Sequence, residues 1–283
     1  MEIVKEIKKM TALSQKWQQA GKIIALVPTM GYFHQGHLSL ISEGKKQGDV
    51  LVVSLFVNPI QFGPKEDLAA YPRDLQRDAS LAEKEGTDVL FVPKEKEMYP
   101  EGYQTYVEVT QLTKYLCGVS RPGHFKGVTT VVAKLFNIIR PHIAIFGLKD
   151  YQQYIVIKRM VRDLNYPIKI IGYPIVRESD GLAMSSRNVY LTSEQRPSAL
   201  SLYKSLNIAQ EMVNKGEKKA KTIIKAVLSF IQKHPYTQID YVKLCNPETL
   251  EDLEEVRGKA LLALAVKVGK ARLIDNTILG AKS

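Results

Sequence analysis

Val50–Val57 (VLVVSLFV) is β-branched and apolar along its whole length, with Ser54 as its only polar side chain. A strand that is apolar at nearly every position, and not merely at alternate ones, must be covered on both faces. Parallel sheets flanked by helices meet that requirement. The same kind of run recurs at Lys22–Val27 (KIIALV, ending at Pro28), Asp88–Val92 (DVLFV, ending at Pro93), Ile143–Phe146 and Ile168–Ile175.

Between these runs the periodicity is helical, over Gly36 to about Lys46, Leu75–Glu85 and roughly Tyr151–Leu164. Gly127–Ile139 (GVTTVVAKLFNII) suits strand or helix by composition, but its length and its stop at Arg140-Pro141 favour a helix. Strand and helix in this rhythm predict an α/β fold with a doubly wound, Rossmann-like parallel sheet. Ligands of such sheets bind beyond the carboxyl ends of the strands, which directs attention to the residues after Val27, Val57, Phe146 and Val176.

The pattern changes after Ser193. Two helical stretches, Ser193–Val213 and Ala220–Lys233, precede strand-like runs at Ile239–Leu244 and Ala260–Val268, with a third at Ala271–Ile274. This predicts a second, smaller α+β domain, with the boundary near Val176–Arg187: residues 1–176 form the larger, Rossmann-like domain and 177–283 a smaller lid domain. No repeat or low-complexity tract interrupts either part.

A chain of 283 residues, 45% hydrophobic, can bury a sizeable core without covalent staples. Cys117 and Cys245 belong to no C-x-x-C pair, so neither a zinc site nor a disulfide framework is indicated. The charged N-terminal stretch lacks the apolar core of a signal peptide, and no apolar run approaches the ~20 residues of a membrane span; the chain is expected to be cytoplasmic, with no membrane partner. The net charge of +11 is spread over both halves. It suits small anionic substrates, and the aromatic–basic interleaving of a nucleic-acid surface is not seen, so no nucleic-acid partner is expected.

Five segments carry chemistry. The first is Pro28-Thr29-Met30-Gly31-Tyr32-Phe33-His34-Gln35-Gly36-His37, a strand-to-helix turn. Its glycines let backbone approach a phosphate, and the following helix N-terminus presents free N–H groups. His34 and His37 can donate to phosphate oxygens as charge develops. Two histidines three apart can also share a metal, but no third ligand lies nearby in the sequence. The second is Phe56-Val57-Asn58-Pro59-Ile60-Gln61-Phe62, whose amides Asn58 and Gln61 can fix a small polar substrate. The segment after it, Gly63–Arg73, has the prolines and glycine of a lid. The third, Ser120–Gly127 (SRPGHFKG), gathers Arg121, His124 and Lys126 as an anion site. The fourth, Phe146–Gln153 (FGLKDYQQ), offers Lys149 to a phosphate, Asp150 as a helix cap and Gln153 toward the crevice of Gln61. The fifth, Met184-Ser185-Ser186-Arg187-Asn188, supplies two hydroxyls and a guanidinium to clamp a polyphosphate.

The H-x-G-H turn and the MSSR loop resemble the HIGH and KMSKS-type signatures of the nucleotidyltransferase superfamily. The fuller set PTMGYFHQGH, FVNPIQF, YPRD, RPGHFKGV, FGLKDYQQ and MSSRN, running from Pro28 to Asn188, is similar to the pantothenate synthetase family, and six motifs in this order are highly specific. The resemblance implies an ATP-dependent ligase that joins pantoate to β-alanine through a pantoyl adenylate. It implies an ATP site over Met30, Gly31, Tyr32, Phe33, His34, Gln35, Gly36 and His37, with His37 as proton donor, and over Gly147, Leu148, Lys149, Asp150 and Val176. Lys149, Met184, Ser185, Ser186 and Arg187 would sit on the triphosphate. Gln61 would touch both acids and Gln153 would hold pantoate, with Asn58, Tyr71, Arg121 and His124 bordering the same cavity. Mg²⁺ would accompany ATP, with Asp78 as a protein-side contact, and the protein would be a homodimer. A cytidylyltransferase-like enzyme would share the H-x-G-H turn but has no use for FVNPIQF and RPGHFKGV together.

Overall fold

A computed structural model describes residues 1–64, 66 and 68–280. Of the expected lid segment Gly63–Arg73, Lys65 and Asp67 lie outside the described residues. The chain divides into two compact units. The first comprises Met1–Thr113, Arg121–Leu148 and Gln153–Pro174; the second comprises Ile175–Ser283 together with the short segments Lys114–Ser120 and Lys149–Gln152.

In the first unit the elements run β1 (Glu2–Val4), α1 (Ile7–Gln19), β2 (Ile24–Thr29), α2 (Gln35–Gln47), β3 (Val50–Leu55), α3 (Leu75–Lys84), β4 (Val89–Phe91) and α4 (Glu95–Met98). The short α5 (Cys117–Ser120) belongs to the second unit. Then come α6 (His124–Ile139), β5 (Ile143–Gly147), α7 (Tyr151–Asp163) and β6 (Lys169–Tyr173). The sheet order is β1-β4-β3-β2-β5-β6, and every pairing is parallel.

Alternation of side chains across the pleat explains why the strands read as solid apolar runs. Ile24 and Leu26 of β2 and Val52 of β3 enter one core with side chains of α1, α6 and α7. Ala25 and Val27, with Leu51 and Val53, enter the other core with Ile41 of α2 and Ala82 of α3. Helix α6 is buried along most of its circumference, which is why its composition reads as readily as a strand. It begins after Gly123 in a left-handed conformation and ends at Arg140, also left-handed, just before Pro141.

The sequence pattern predicts no element over the first nineteen residues. β1 is three residues long with two of them exposed, and α1 buries only Met10 and Ser14. Neither carries enough periodic apolar signal to stand out.

The second unit holds α8 (Arg196–Asn214), α9 (Ala220–Gln232) and a three-stranded antiparallel sheet of β7 (Thr237–Cys245), β8 (Ala260–Val268) and β9 (Ala271–Leu279), in the order β7-β8-β9. Its core joins Leu202 and Leu206 of α8 and Ile223, Val227 and Ile231 of α9 to Leu262, Leu264, Val266 and Leu273 of the sheet. The third strand continues to Leu279, well past the Ala271–Ile274 run expected of it.

Candidate active site

β2 and β3 are parallel neighbours, with Thr29 paired to Leu55, so the turns that follow them leave the same edge of the sheet. After β2 the chain reverses through Gly31 (φ 86°) and Tyr32 (φ 54°), both left-handed. Such a conformation strains a residue like tyrosine and needs outside support. Asp78, on the first turn of α3, provides it. Its carboxylate accepts the Tyr32 N–H at 2.5 Å and the Phe33 N–H at 2.7 Å. Phe33 is fully buried, which contributes about 1.5–3 kcal/mol toward holding the turn. Arg77 adds a bond to the Phe33 carbonyl at 2.9 Å and lies over the Tyr32 ring.

Asp78, expected from the sequence as a metal contact, anchors the turn here. Its side chain is 1% exposed and its oxygens are engaged by backbone N–H groups. Burial pushes its carboxyl above the usual range, against the pull of those two bonds and of Arg77.

His34 is the N-cap of α2. Its Nδ1 accepts the Gly36 N–H at 3.1 Å, and Nδ1 of His37 accepts the His34 N–H at 3.4 Å, a reciprocal cap in which imidazoles replace the usual hydroxyl and carboxylate. A nitrogen that accepts carries no hydrogen, so this network assigns the ring hydrogen to Nε2 in both histidines. The rings lie 4.1 Å apart between centroids. Two Nε2–H donors at a helix N-terminus suit a phosphate whose charge is growing. Gln35 is exposed at the start of the helix, and Gly36 is half-buried behind it.

After β3 the chain makes a 3₁₀ turn over Pro59–Gln61. Its amides are buried: Asn58 is 1% exposed and Gln61 8%. Asn58 Nδ2 donates to the Gly127 carbonyl and to Gln61 Oε1, each at 3.1 Å, and its Oδ1 accepts from the Tyr99 hydroxyl at 2.8 Å. Gln61 Nε2 donates to Met30 Sδ at 3.0 Å, which links this turn to the first. The turn lies directly on α6. A Cβ on Gly127 would come within 2.5 Å of the Ile60 carbonyl oxygen and 2.6 Å of Gln61 Cα.

Arg121 and His124 join the same chain of bonds. His124 Nδ1 lies 2.9 Å from the Gln61 carbonyl and its Nε2 lies 3.0 Å from Arg121. A carbonyl only accepts and a guanidinium only donates, so His124 carries its hydrogen on Nδ1. Arg121 also makes a bidentate pair with Glu66, both distances 2.7 Å. Burial opposes ionisation of Glu66, but the Arg121 pair outweighs it and holds the carboxyl below its usual range. Tyr71 is buried edge-on against Phe62. Gln153 is half-buried on the first turn of α7 and stands outside this chain of bonds. Gly147 closes β5, with Leu148 following it, both half-buried.

In the second unit, Lys149 is held at both ends. Its Nζ donates to the Met184 carbonyl at 3.1 Å, and its own carbonyl accepts from Asn276 Nδ2 at 2.9 Å. Behind it, buried Asp275 receives both terminal nitrogens of Arg177, at 2.7 and 2.9 Å, and the Asn276 N–H at 2.8 Å. The Met184 N–H bonds to the Val176 carbonyl at 3.0 Å. Ser185 caps the short helix Ser186–Tyr190 by accepting the Arg187 N–H, and Asn188 ties that helix to Glu178 at 2.6 Å. Asp150 sits half-buried beside Lys149. Lys149 and the MSSR loop are therefore parts of one braced assembly. The bracing residues Arg177, Asp275 and Asn276 in this unit, and Tyr99 and Glu66 in the first, are not evident from the sequence. No local motif marks any of them, because each acts on a residue distant in sequence.

A family model described as pantoate-beta-alanine ligase matches residues 2–278. The pantothenate synthetase of Caldicellulosiruptor bescii is 56% identical over 282 residues, covering 100% of both chains. Among solved structures, the pantothenate synthetase of Thermus thermophilus superposes with a TM-score of 0.92 at 44% identity, covering 98% of this chain and 99% of that one. The pantoate-beta-alanine ligase of Francisella tularensis, complexed with β-γ ATP and β-alanine, superposes with a TM-score of 0.81 at 35% identity, covering 98% and 97%.

Proposed function

We propose residue roles and a two-step course for the reaction of this chain, which belongs to the pantoate–β-alanine ligase family. The chain is a ligase that uses ATP to condense pantoate with β-alanine, giving pantothenate, AMP and pyrophosphate. In the first step the pantoate carboxylate attacks the α-phosphorus of ATP and pyrophosphate leaves. In the second the β-alanine amine attacks the mixed anhydride and AMP leaves. No covalent protein nucleophile is required; the protein positions the reactants and meets charge as it develops.

The reciprocal cap of His34 and His37 carries this reading, because it presents Nε2–H donors where the helix N-terminus already favours an anion. His34 and His37 are proposed to stabilise the α-phosphate in flight, with His37 as proton donor. Met30 to Gln35 and Gly36, with Gly147, Leu148, Asp150 and Val176, are proposed as ATP contacts. Lys149, Met184, Ser185, Ser186 and Arg187 are proposed to bind the triphosphate. Gln61 and Gln153 are proposed to hold pantoate, with Gln61 also meeting β-alanine, and Asn58, Tyr71, Arg121 and His124 to shape that pocket. The likeness of the two loops to HIGH and KMSKS signatures supports the phosphate roles.

Mg²⁺ is proposed to enter as part of MgATP, held by phosphate oxygens and water. Among the described residues no group of three or more His, Cys, Asp or Glu side chains is arranged to hold a metal ion. No described helix is long and apolar enough to cross a membrane, and two free, buried thiols suit the reducing cytoplasm we propose for it. We also propose a homodimer; the outermost strand β6, with Ile170, Ile171 and Tyr173 only half-buried, offers an edge for it.

His37→Ala tests the assignment. Losing one transition-state donor lowers adenylation by roughly 10²–10³. Pyrophosphate release at the normal rate from a folded His37→Ala protein is incompatible with the proposed role.

A further inference from the structure

Asp275 is 3% exposed on β9, opposite Leu264 of β8, a core residue of the second unit. An apolar side chain there would lose no hydration, and a buried ion pair is weak evidence of stabilisation. Burial pushes the Asp275 carboxyl upward, against the pull of Arg177, the Asn276 N–H and Lys149. A carboxylate held in so unfavourable a place points to a role in what it binds.

Its bonds close a ring. Asp275 accepts Nη1 and Nη2 of Arg177 at 2.7 and 2.9 Å and the Asn276 N–H at 2.8 Å. Asn276 Nδ2 in turn donates to the Lys149 carbonyl at 2.9 Å. On the other side, Arg177 begins a hairpin: it is bridged to Ala183, and the Met184 N–H bonds to the Val176 carbonyl at 3.0 Å. Arg177 is fixed there by the Gly181 carbonyl at 3.1 Å and by Tyr203, whose ring centroid lies 4.1 Å from its guanidinium. The Met184 carbonyl, at the far end of the hairpin, accepts from Lys149 Nζ at 3.1 Å. The circuit therefore returns to the residue whose backbone Asn276 holds. A lysine ammonium on its flexible four-carbon stem samples many positions unless it is tied down. Here Met184 takes one of its three N–H groups, and the ring sets its spacing from Ser185, Ser186 and Arg187, which follow Met184 directly.

We infer that Asp275 is a positioning residue that closes this ring and so fixes the Lys149 ammonium relative to the Met184–Arg187 loop, making the two one preorganised grip for a triphosphate. The inference rests on the proposed triphosphate role of Lys149 and that loop. A guanidinium only donates and an amide has a single acceptor oxygen. Asp275→Asn therefore keeps the shape of the side chain, breaks one of the two bonds to Arg177 and removes the charge. Lys149 keeps its own charge but loses its fixed bearing.

Five proteins test this: Asp275→Asn, Lys149→Met, the double variant, Asn276→Ala and Val266→Ala. Each is titrated with MgATP for Kd, assayed for KM toward pantoate and melted for Tm. Val266 is fully buried in the core of the same unit and is no member of the ring, so Val266→Ala reports what lost stability alone does. It is expected to lower Tm with the MgATP Kd within about twofold of the parent. Lys149→Met should raise that Kd about ten- to hundredfold, the scale of hydrogen bonds to a charged group. Asp275→Asn should raise it about five- to fiftyfold, with KM for pantoate within about twofold. Added to Lys149→Met, Asp275→Asn should weaken MgATP several-fold less than it does in the parent, because a residue acting through Lys149 then has nothing to position. Asn276→Ala opens the ring without disturbing the buried charge, should raise the Kd about two- to tenfold, and gives the readout if Asp275→Asn does not fold. An unchanged Kd in Lys149→Met removes the triphosphate role of Lys149 and the inference with it. If Lys149→Met has its effect but Asp275→Asn or a folded Asn276→Ala behaves like Val266→Ala, the inference alone is overturned. Effects of Asp275→Asn and Lys149→Met that simply multiply overturn it as well.

Discussion

Replacing Gly127 by alanine is a one-carbon test of how the Asn58–Gln61 turn is held. In an exposed helix the change would stabilise the protein by about 0.5–1 kcal/mol, since alanine is the better helix former. Here the new Cβ would sit 2.5 Å from the Ile60 carbonyl oxygen, 2.6 Å from Gln61 Cα and 2.7 Å from Gln61 N. All three are backbone atoms, so no rotamer change relieves the contact. Ordinary van der Waals contact begins at 3.4 Å, so the turn or the helix must retreat by about 0.9 Å. Overpacking of this kind costs about 1–3 kcal/mol, which outweighs the helix gain. The retreat also stretches the Asn58–Gly127 bond and displaces Gln61, and with Gln61 in its proposed substrate role a misplacement of ~1 Å can cost ~10² in rate. Equilibrium denaturation together with kcat/KM for pantoate gives both readings on one variant. A Gly127→Ala protein as stable and as active as the parent would refute the claim that α6 positions Gln61 through backbone contact.

Three further outcomes follow from the geometry. Asp78→Asn keeps one acceptor for the Tyr32 and Phe33 N–H groups and sets an amide N–H against the other, so it should lower the unfolding free energy by about 1–3 kcal/mol and slow adenylation; an unchanged denaturation midpoint would contradict the anchoring role. The Glu66–Arg121 pair holds the Glu66 carboxyl below its ordinary 4.5. Its contribution is therefore complete above that pH and is lost as the pH falls through the lower folded value, so Glu66→Gln should flatten that part of an acid-unfolding profile; a Glu66→Gln profile identical to the parent's would dismiss it. Burial, reinforced by Asp252, pushes the Cys245 thiol up to about 12, and the residue is fully buried, so a thiol reagent at neutral pH should label it only after denaturation; rapid labelling of Cys245 in the native protein would count against the buried site.

The strands were legible because a doubly covered parallel sheet leaves a continuous apolar signature, and Val50–Leu55, Ile24–Thr29 and Ile143–Gly147 all carry it. The turns that follow them were legible as strand ends, because Pro28 and Pro59 with the nearby glycines break the apolar runs there. What stayed hidden were partners brought together from afar. Tyr99 reaches Asn58 across 41 residues, Glu66 meets Arg121 across 55, and Asp275 backs Arg177 across 98. Asp78 illustrates a different limit. A carboxylate in the first turn of a helix gives no sign in sequence that it accepts two backbone N–H groups, and only the left-handed turn at Gly31 and Tyr32 reveals that role. The short segments 114–120 and 149–152, which group with the second unit, likewise carry no local pattern that sets them apart from their surroundings.

The central claim is that pantoate is activated by ATP before β-alanine is engaged. Isotope exchange between pyrophosphate and ATP, with Mg²⁺ and with each acid omitted in turn, tests it directly. Exchange is expected with pantoate alone and not with β-alanine alone, and AMP and pantothenate only when both acids are present. Exchange that requires β-alanine, or AMP formed without pantoate, would contradict it.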